Sequence, residues 1–175
     1  MVAYTLLILA TAVERLAEMI VARRNAAWSR MQGGREFGAG HYPWMVALHT
    51  GFLVACVAEV WLLQRAFLPW LGFPMLAVAI AAQVLRWWCI VSLGRMWNTR
   101  VIVIPGHQRL RRGPYRFLNH PNYVAVVAEG VALPLIHSAY LSAVTFSILN
   151  AALLRVRIGY EVEALALLRH DDSLG

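Results

Sequence analysis

The stretch from Arg95 to Tyr123, RMWNTRVIVIPGHQRLRRGPYRFLNHPNY, decides the fold. It carries six arginines (Arg95, Arg100, Arg109, Arg111, Arg112 and Arg116), two histidines and no acid, in a chain that is otherwise apolar. Unpaired arginines do not stay in hydrocarbon, so the stretch belongs at a membrane surface. Pro105-Gly106, Gly113-Pro114 and Pro121 divide it into short turns rather than one helix. A folded polar loop on a hydrophobic scaffold is where binding groups gather, and one so rich in donors suits an anionic partner.

Beyond the loop, 60% of the 175 residues are hydrophobic and only 14% are charged. Soluble domains carry about 25% charged residues, so the chain reads as an integral membrane protein of one domain, with residues 1–94 as a three-span scaffold and 95–175 as the functional part. All sixteen basic residues are arginine, a bias that fits a GC-rich bacterial genome. The net charge of +7 does not point to nucleic acid, because the arginines cluster at the ends of apolar runs, where topology explains them. Cys56 and Cys89 lie inside apolar runs without metal-ligand or disulfide spacing, and are expected to be packing residues; no metal site is expected. The first apolar run contains Glu14, Arg15 and Glu18 and lacks a basic leader, unlike a signal peptide.

A helix needs about 20 residues to cross the hydrocarbon. The sequence predicts spans from Val2 to Ala22, Tyr42 to Leu63, Leu71 to Leu93, Asn122 to Ile136 (broken by Pro134) and Ala139 to Leu154. A polar connection joins Arg23 to His41, and His137-Ser138 leaves room only for a hairpin turn. Pro121 in a first helical turn, with Asn119 or His120 as cap, marks the start of the fourth span. The tail from Arg155 to His170 reads as a helix emerging from the membrane. Arginines follow the first span and fill the loop and tail, whereas the turn near Arg65 carries one charge. The positive-inside rule then predicts an amino terminus outside, with loop and tail together in the cytosol of a bacterial cytoplasmic membrane.

Charges within spans need partners. Arg86 and Glu129 lie at similar depth and are expected to pair. Glu14, Arg15 and Glu18 either compensate one another or, with both glutamates on one face, line a polar cavity. His49 and Glu59 are expected to be buried hydrogen-bonding groups.

The loop offers imidazoles at His107 and His120, aromatic faces at Tyr115, Phe117 and Tyr123, and a helix start at Asn119–Asn122 suited to an anion. The tail adds Arg157 and Glu161, one turn apart on one face. Together these suit a zwitterionic, nucleotide-like ligand.

The segment HQRLRRGPYRFLNHPNY resembles the cofactor signature of the isoprenylcysteine carboxyl methyltransferase family. That signature joins a histidine and leucine, a Gly-x-Tyr turn (here Gly113-Pro114-Tyr115), a His-Pro-x-Tyr element (here His120-Pro121-Asn122-Tyr123) and a later Arg-x-x-x-Glu (here Arg157 and Glu161). Asn119 stands where the family has arginine, and the acidic run near the end is thinned to Glu161-Val162-Glu163. The resemblance implies an all-α integral membrane protein of about five transmembrane helices, with a cytosolic cofactor-binding loop and C-terminal helix, using S-adenosyl-L-methionine without a Rossmann domain. Accordingly, the sequence has no strand followed by G-x-G-x-x-G. By carry-over, His107, Gln108, Arg109, Leu110, Tyr115, His120, Pro121, Asn122 and Tyr123 would wrap the cofactor and Glu161 would complete its pocket. Arg157 would be the catalytic and substrate-binding residue.

The implied reaction is methyl transfer to a carboxylate or hydroxyl oxygen of a lipophilic acceptor, isoprenylcysteine-like or a long-chain polyketide lipid. Such an acceptor would arrive sideways among the membrane lipids, with no obligate protein partner. Two other readings compete. One is an NADPH-dependent membrane reductase of the sterol-reductase type, whose 2′-phosphate would suit the arginine loop. The other is a non-enzymatic membrane scaffold, which leaves the motif spacing unexplained.

Overall fold

The computed structural model describes residues 1–106 and 111–171. Among these are five α-helices: α1 (Val2–Met31), α2 (Tyr42–Leu62), α3 (Pro69–Leu93), α4 (Pro121–Leu135) and α5 (Tyr140–Asp171). Two three-residue strands, β1 (Arg35–Phe37) and β2 (Val101–Val103), pair antiparallel with Glu36 opposite Ile102. Every expected apolar run is helical, and the described residues contain no larger sheet. Three stretches, Ala39–Leu62, Pro69–Met96 and Tyr140–Ala164, are long and apolar enough to cross a membrane.

Many large apolar side chains face outward, although Phe52, Phe146 and Leu133 are buried in the core. Leu62 is 80% exposed and Val91 75%, whereas Ala79, Ala125, Ala132 and Ala139 fill the interior. Lipid gives helices no hydrophobic reason to associate, so small residues that allow close approach carry the packing. Gly130 is the clearest case: a Cβ there would lie 2.3 Å from the Phe146 ring, so only glycine lets α4 lie against α5 this closely.

Three expectations need correction. α1 does not end at Ala22 but continues to Met31. Its extra turns carry a buried stripe of Ala22, Asn25, Ala26 and Ser29, which turns away from Arg23 and Arg24. That stripe supports the central loop: Asn25 Nδ2 donates to the carbonyls of Gly94 (3.2 Å) and Trp97 (2.8 Å). The fifth span and the tail are likewise one helix, since no proline interrupts Tyr140–Asp171. Finally, Pro134 does not break α4. It sits in the last turn, where its carbonyl still accepts from Ala139, and Ser138 at φ 57° makes the reversal. The 15 residues of α4 extend only roughly 22 Å, shorter than the hydrocarbon core of about 30 Å.

The buried charges meet across helices. Arg86 pairs with Glu129 as expected. The trio on α1 compensates itself and also reaches outward. Arg15 bonds Glu18 (2.6 Å), Gln83 on α3 (2.8 Å) and Glu129 on α4 (3.0 Å), while Glu14 accepts from Gln83 and Trp87. Glu59 is buried and hydrogen-bonded, accepting from the amides of Leu141 (3.1 Å) and Ser142 (2.7 Å) at the start of α5 and pairing with Arg65. Those amides have no partner within their own helix, so the carboxylate anchors α2 to α5. His49 Nδ1 bonds the Met45 carbonyl at 2.8 Å, and both cysteines are buried free thiols.

Candidate active site

Three segments distant in sequence converge at one end of the bundle. β2 is held against β1 by its ladder, while Arg30 (2.7 Å) and Arg100 (2.5 Å) both bind Glu36. This places Thr99 beside α5, where its carbonyl accepts from an Arg157 terminal nitrogen at 2.6 Å. α4 starts at Pro121 and brings Tyr123 to the same point.

Arg157 is only 7% exposed. Its Nε donates to the Tyr123 hydroxyl at 2.7 Å, and a terminal nitrogen lies 3.2 Å from Met45 Sδ. The Tyr123 hydroxyl in turn donates to Glu161, whose carboxylate lies 3.8 Å from Arg157 and 3.3 Å from His120 Nδ1. The His120 and Tyr123 rings stack with centroids 5.1 Å apart and planes 7° from parallel. Cation, phenol, carboxylate and imidazole thus form one chain of contacts. His120 occupies the N-cap position of α4 without capping it, because its ring is turned to Glu161.

Behind Arg157 a cavity of about 670 Å³ runs down the bundle, mainly between α1 and α2. Its far walls are apolar, with Ile8, Leu9, Leu53 and Val57 among them. Its near end is polar, and two side-chain oxygens there, Asn98 Oδ1 and Asn122 Oδ1, are buried without a hydrogen-bond partner. Buried polar groups are almost always paired, so two unpartnered oxygens beside a cavity make it a candidate ligand site. The cavity wall also touches Arg15, Glu18 and Arg86, whereas Glu14 turns to Gln83 and Trp87 on α3, so the two glutamates do not line one cavity together.

Of the residues singled out from sequence, the structure brings together His120, Asn122, Tyr123, Arg157 and Glu161. Pro121 is fully buried and starts α4. Tyr115 lies on the short turn Gly113–Arg116 and faces the Cys89 thiol on α3. Burial, reinforced by Cys89, pushes its phenol above the ordinary range, so it remains a hydrogen-bond donor at neutral pH. His107, Gln108, Arg109 and Leu110 lie outside the described residues. Sequence reasoning missed His41, Met45, Asn98 and Thr99. Strands of three residues carry too little alternation to announce the ribbon that flanks His41, Asn98 and Thr99, and Met45 comes from α2.

The family model for the isoprenylcysteine carboxyl methyltransferase family matches residues 75–167. The chain is 42% identical over 163 residues to the uncharacterized protein YpbQ of Bacillus subtilis, covering 93% of this chain and 96% of that protein. It is 25% identical over 138 residues to an uncharacterized protein of Haemophilus influenzae, covering 77% of this chain and 78% of that one. No solved structure matches it. The matched segment contains the whole contact chain from His120 to Glu161, and the chain belongs to the isoprenylcysteine carboxyl methyltransferase family of membrane proteins.

Proposed function

We propose that the protein is an S-adenosylmethionine-dependent O-methyltransferase whose acceptor is a lipophilic molecule drawn from the bilayer. One observation carries this reading: the apolar cavity ends on Arg157, and Arg157 is tied through Tyr123 to Glu161 and His120. An acceptor side and a cofactor side therefore meet at one guanidinium.

The residues present fit the cofactor. Glu161 offers a carboxylate for a ribose hydroxyl or an ammonium, the stacked His120–Tyr123 pair offers an aromatic face, and Asn122 Oδ1 is a buried acceptor awaiting a donor. When bound, S-adenosylmethionine supplies an electrophilic methyl group on a sulfonium. The chain's own residues then have three tasks. Arg157, held by Tyr123 and Thr99, has more donors than these neighbours take up and orients an anionic acceptor oxygen. Tyr123 fixes the distance between that oxygen site and Glu161, supplying the orientation on which in-line transfer depends. The apolar walls exclude water, so ion attraction in the site is not weakened by solvent.

The arginine-rich ends, including Arg23, Arg30, Arg100 and Arg112, lie with the ribbon and the site, opposite Arg65. By the positive-inside rule this end faces the cytosol of a bacterial cytoplasmic membrane, where the cofactor is available. The test is calorimetric titration of the detergent-purified protein with S-adenosylhomocysteine, with NADPH alongside. Saturable binding of the first alone is the expected result. Binding of NADPH alone would instead establish a membrane reductase.

A further inference from the structure

The arginines of the described residues divide by their partners. Arg15, Arg30, Arg65, Arg86 and Arg100 each hold a carboxylate, and Arg157 is engaged by Tyr123 and Thr99. Arg95, Arg111, Arg112 and Arg116 are exposed, and none of them has an ion-pair partner among the described residues. Topology accounts for the end of the bundle on which they stand, but not for the side chains placed among them.

Arg112 leads into the short turn Gly113–Arg116, and that turn is pressed against α3. Gly113 adopts φ +55°, and a Cβ on it would fall 2.0 Å from Ser92 Oγ and 3.0 Å from Trp88 Nε1. Immediately after the turn come two large apolar side chains outside the core, Phe117 at 74% exposure and Leu118 at 43%. The Arg116 guanidinium stands 5.8 Å from the Phe117 ring centroid. Trp87 and Trp88, on the part of α3 that the turn covers, are themselves largely exposed. Tryptophans gather where hydrocarbon meets headgroups, which sets the turn at that level. Hydrocarbon would exclude the arginines, and water gives no reason for the exposed Phe117 and Leu118. A surface carrying both suits the boundary, with apolar side chains dipped into the leaflet and cations in an anionic layer above.

We infer that Arg95, Arg111, Arg112, Arg116, Phe117 and Leu118 form a docking site for anionic phospholipid headgroups, and that its occupancy steadies the cofactor side of the active site. The docking itself is independent of the methyltransferase reading, whereas the coupling rests on it. His120 follows Leu118 by two residues, and its Nδ1 meets Glu161 at 3.3 Å. α4 fixes one end of this segment, and headgroups gathered by the guanidiniums fix the other, so that His120 stays over the Glu161 carboxylate. An arginine close to an anionic surface strengthens attachment by about fivefold.

Lipid retention is measured first, by native mass spectrometry of protein in neutral detergent with dioleoylphosphatidylglycerol or dioleoylphosphatidylcholine added. Wild type should retain the anionic lipid preferentially. The triple variant Arg111→Gln, Arg112→Gln, Arg116→Gln should lower that preference by at least about tenfold, and Phe117→Ser should weaken it with every charge in place. A second triple variant, Arg23→Gln, Arg24→Gln, Arg155→Gln, removes the same charge from exposed arginines on α1 and α5 and should keep the preference. No preference in wild type, equal loss in the two triple variants, or full retention by Phe117→Ser would each overturn the proposal, since a general positive field would explain the result. Displacement of the lipid by free glycerol 3-phosphate would overturn it too, by making the surface a site for soluble phosphate. S-adenosylhomocysteine affinity is then measured in phosphatidylcholine nanodiscs with and without phosphatidylglycerol. Wild type should bind several-fold more tightly with the anionic lipid, and Phe117→Ser equally in both. Wild-type affinity indifferent to the lipid overturns the coupling. Failure of wild type to bind S-adenosylhomocysteine in either nanodisc strikes the methyltransferase reading instead, and lipid retention still decides the docking site.

Discussion

At the scale of single residues, Arg157 and Glu161 occupy one helical face yet serve different sides of the site, and substitution should separate them. Glu161→Ala removes the carboxylate that Tyr123 and His120 both contact, and is expected to weaken S-adenosylhomocysteine binding at least about 100-fold by calorimetry, as loss of a charged hydrogen-bonding partner does. His120→Ala should weaken it less, by roughly tenfold, since Tyr123 still holds the carboxylate. Arg157→Ala is expected to leave that affinity within several-fold while lowering methyl transfer by about 100-fold or more, the pattern of a group acting on the acceptor. Equal loss of binding in Arg157→Ala and Glu161→Ala would mean that both residues hold the cofactor. The Arg157–Glu161 pair was legible in the sequence because helical geometry fixes an i,i+4 spacing. The surroundings of Arg157 were not, because Thr99 and Met45 reach it from 58 and 112 residues away.

At the scale of elements, two features hold the helices and loops in register. The first is the charge cluster on α1, α3 and α4. Arg86→Met leaves Glu129 with Arg15 alone, and leaves Glu18 without its second cation at 3.8 Å. Breaking one side of a buried pair costs about 3–5 kcal/mol, whereas replacing both partners by apolar residues is often neutral. Thermal unfolding in detergent should therefore show Arg86→Met strongly destabilised and the Arg86→Met, Glu129→Met double variant closer to wild type. Arg86–Glu129 could be anticipated because a charge in lipid must find a partner at its own depth.

The second feature is the ribbon, which lies outside the stretches long and apolar enough to cross a membrane. Burial raises the Glu36 carboxyl, but Arg30 and Arg100 outweigh it and hold it below the ordinary carboxylate range. Because the folded value is the lower one, the stabilisation is complete above about pH 4.3 and is lost as pH falls through the folded value. Amide exchange at Ile102, relative to the membrane helices, should accelerate in that acidic window and remain flat above it. Exchange that stayed flat throughout would mean that backbone pairing alone holds the strands. No residue pattern announced this ribbon. It depends on Glu36 meeting Arg100 across 64 residues, a contact that only the assembled bundle enforces.

At the scale of the whole molecule, the apolar runs and the helical class were legible because hydrocarbon length and backbone hydrogen bonding admit few solutions. The ends of α1 and α5 were not, since helix continuing into water leaves no hydropathy boundary. A fluorescent protein fused after Gly175 should fluoresce, and alkaline phosphatase at the same position should be inactive. The reverse pattern would place the site on the outer face.

The contacts of α1 also govern how the protein can be made. Glu14, Arg15 and Glu18 leave the ribosome early, yet Arg15 meets Gln83 and Glu129, which lie 68 and 114 residues further on. An ionised side chain near the middle of a lone helix costs about 2.5–3.5 kcal/mol to insert. The Arg15–Glu18 pair offsets part of that cost within the lone helix, but the remaining partners of Glu14 and Arg15 come only with the third and fourth helices, so stable integration of the first helix is expected to await them. A nascent chain halted after Leu62 should be degraded within minutes in a pulse-chase experiment, whereas one carried through Leu135 should persist. The order of synthesis thus makes integration of the amino-terminal segment a checkpoint that only a nearly complete chain can pass.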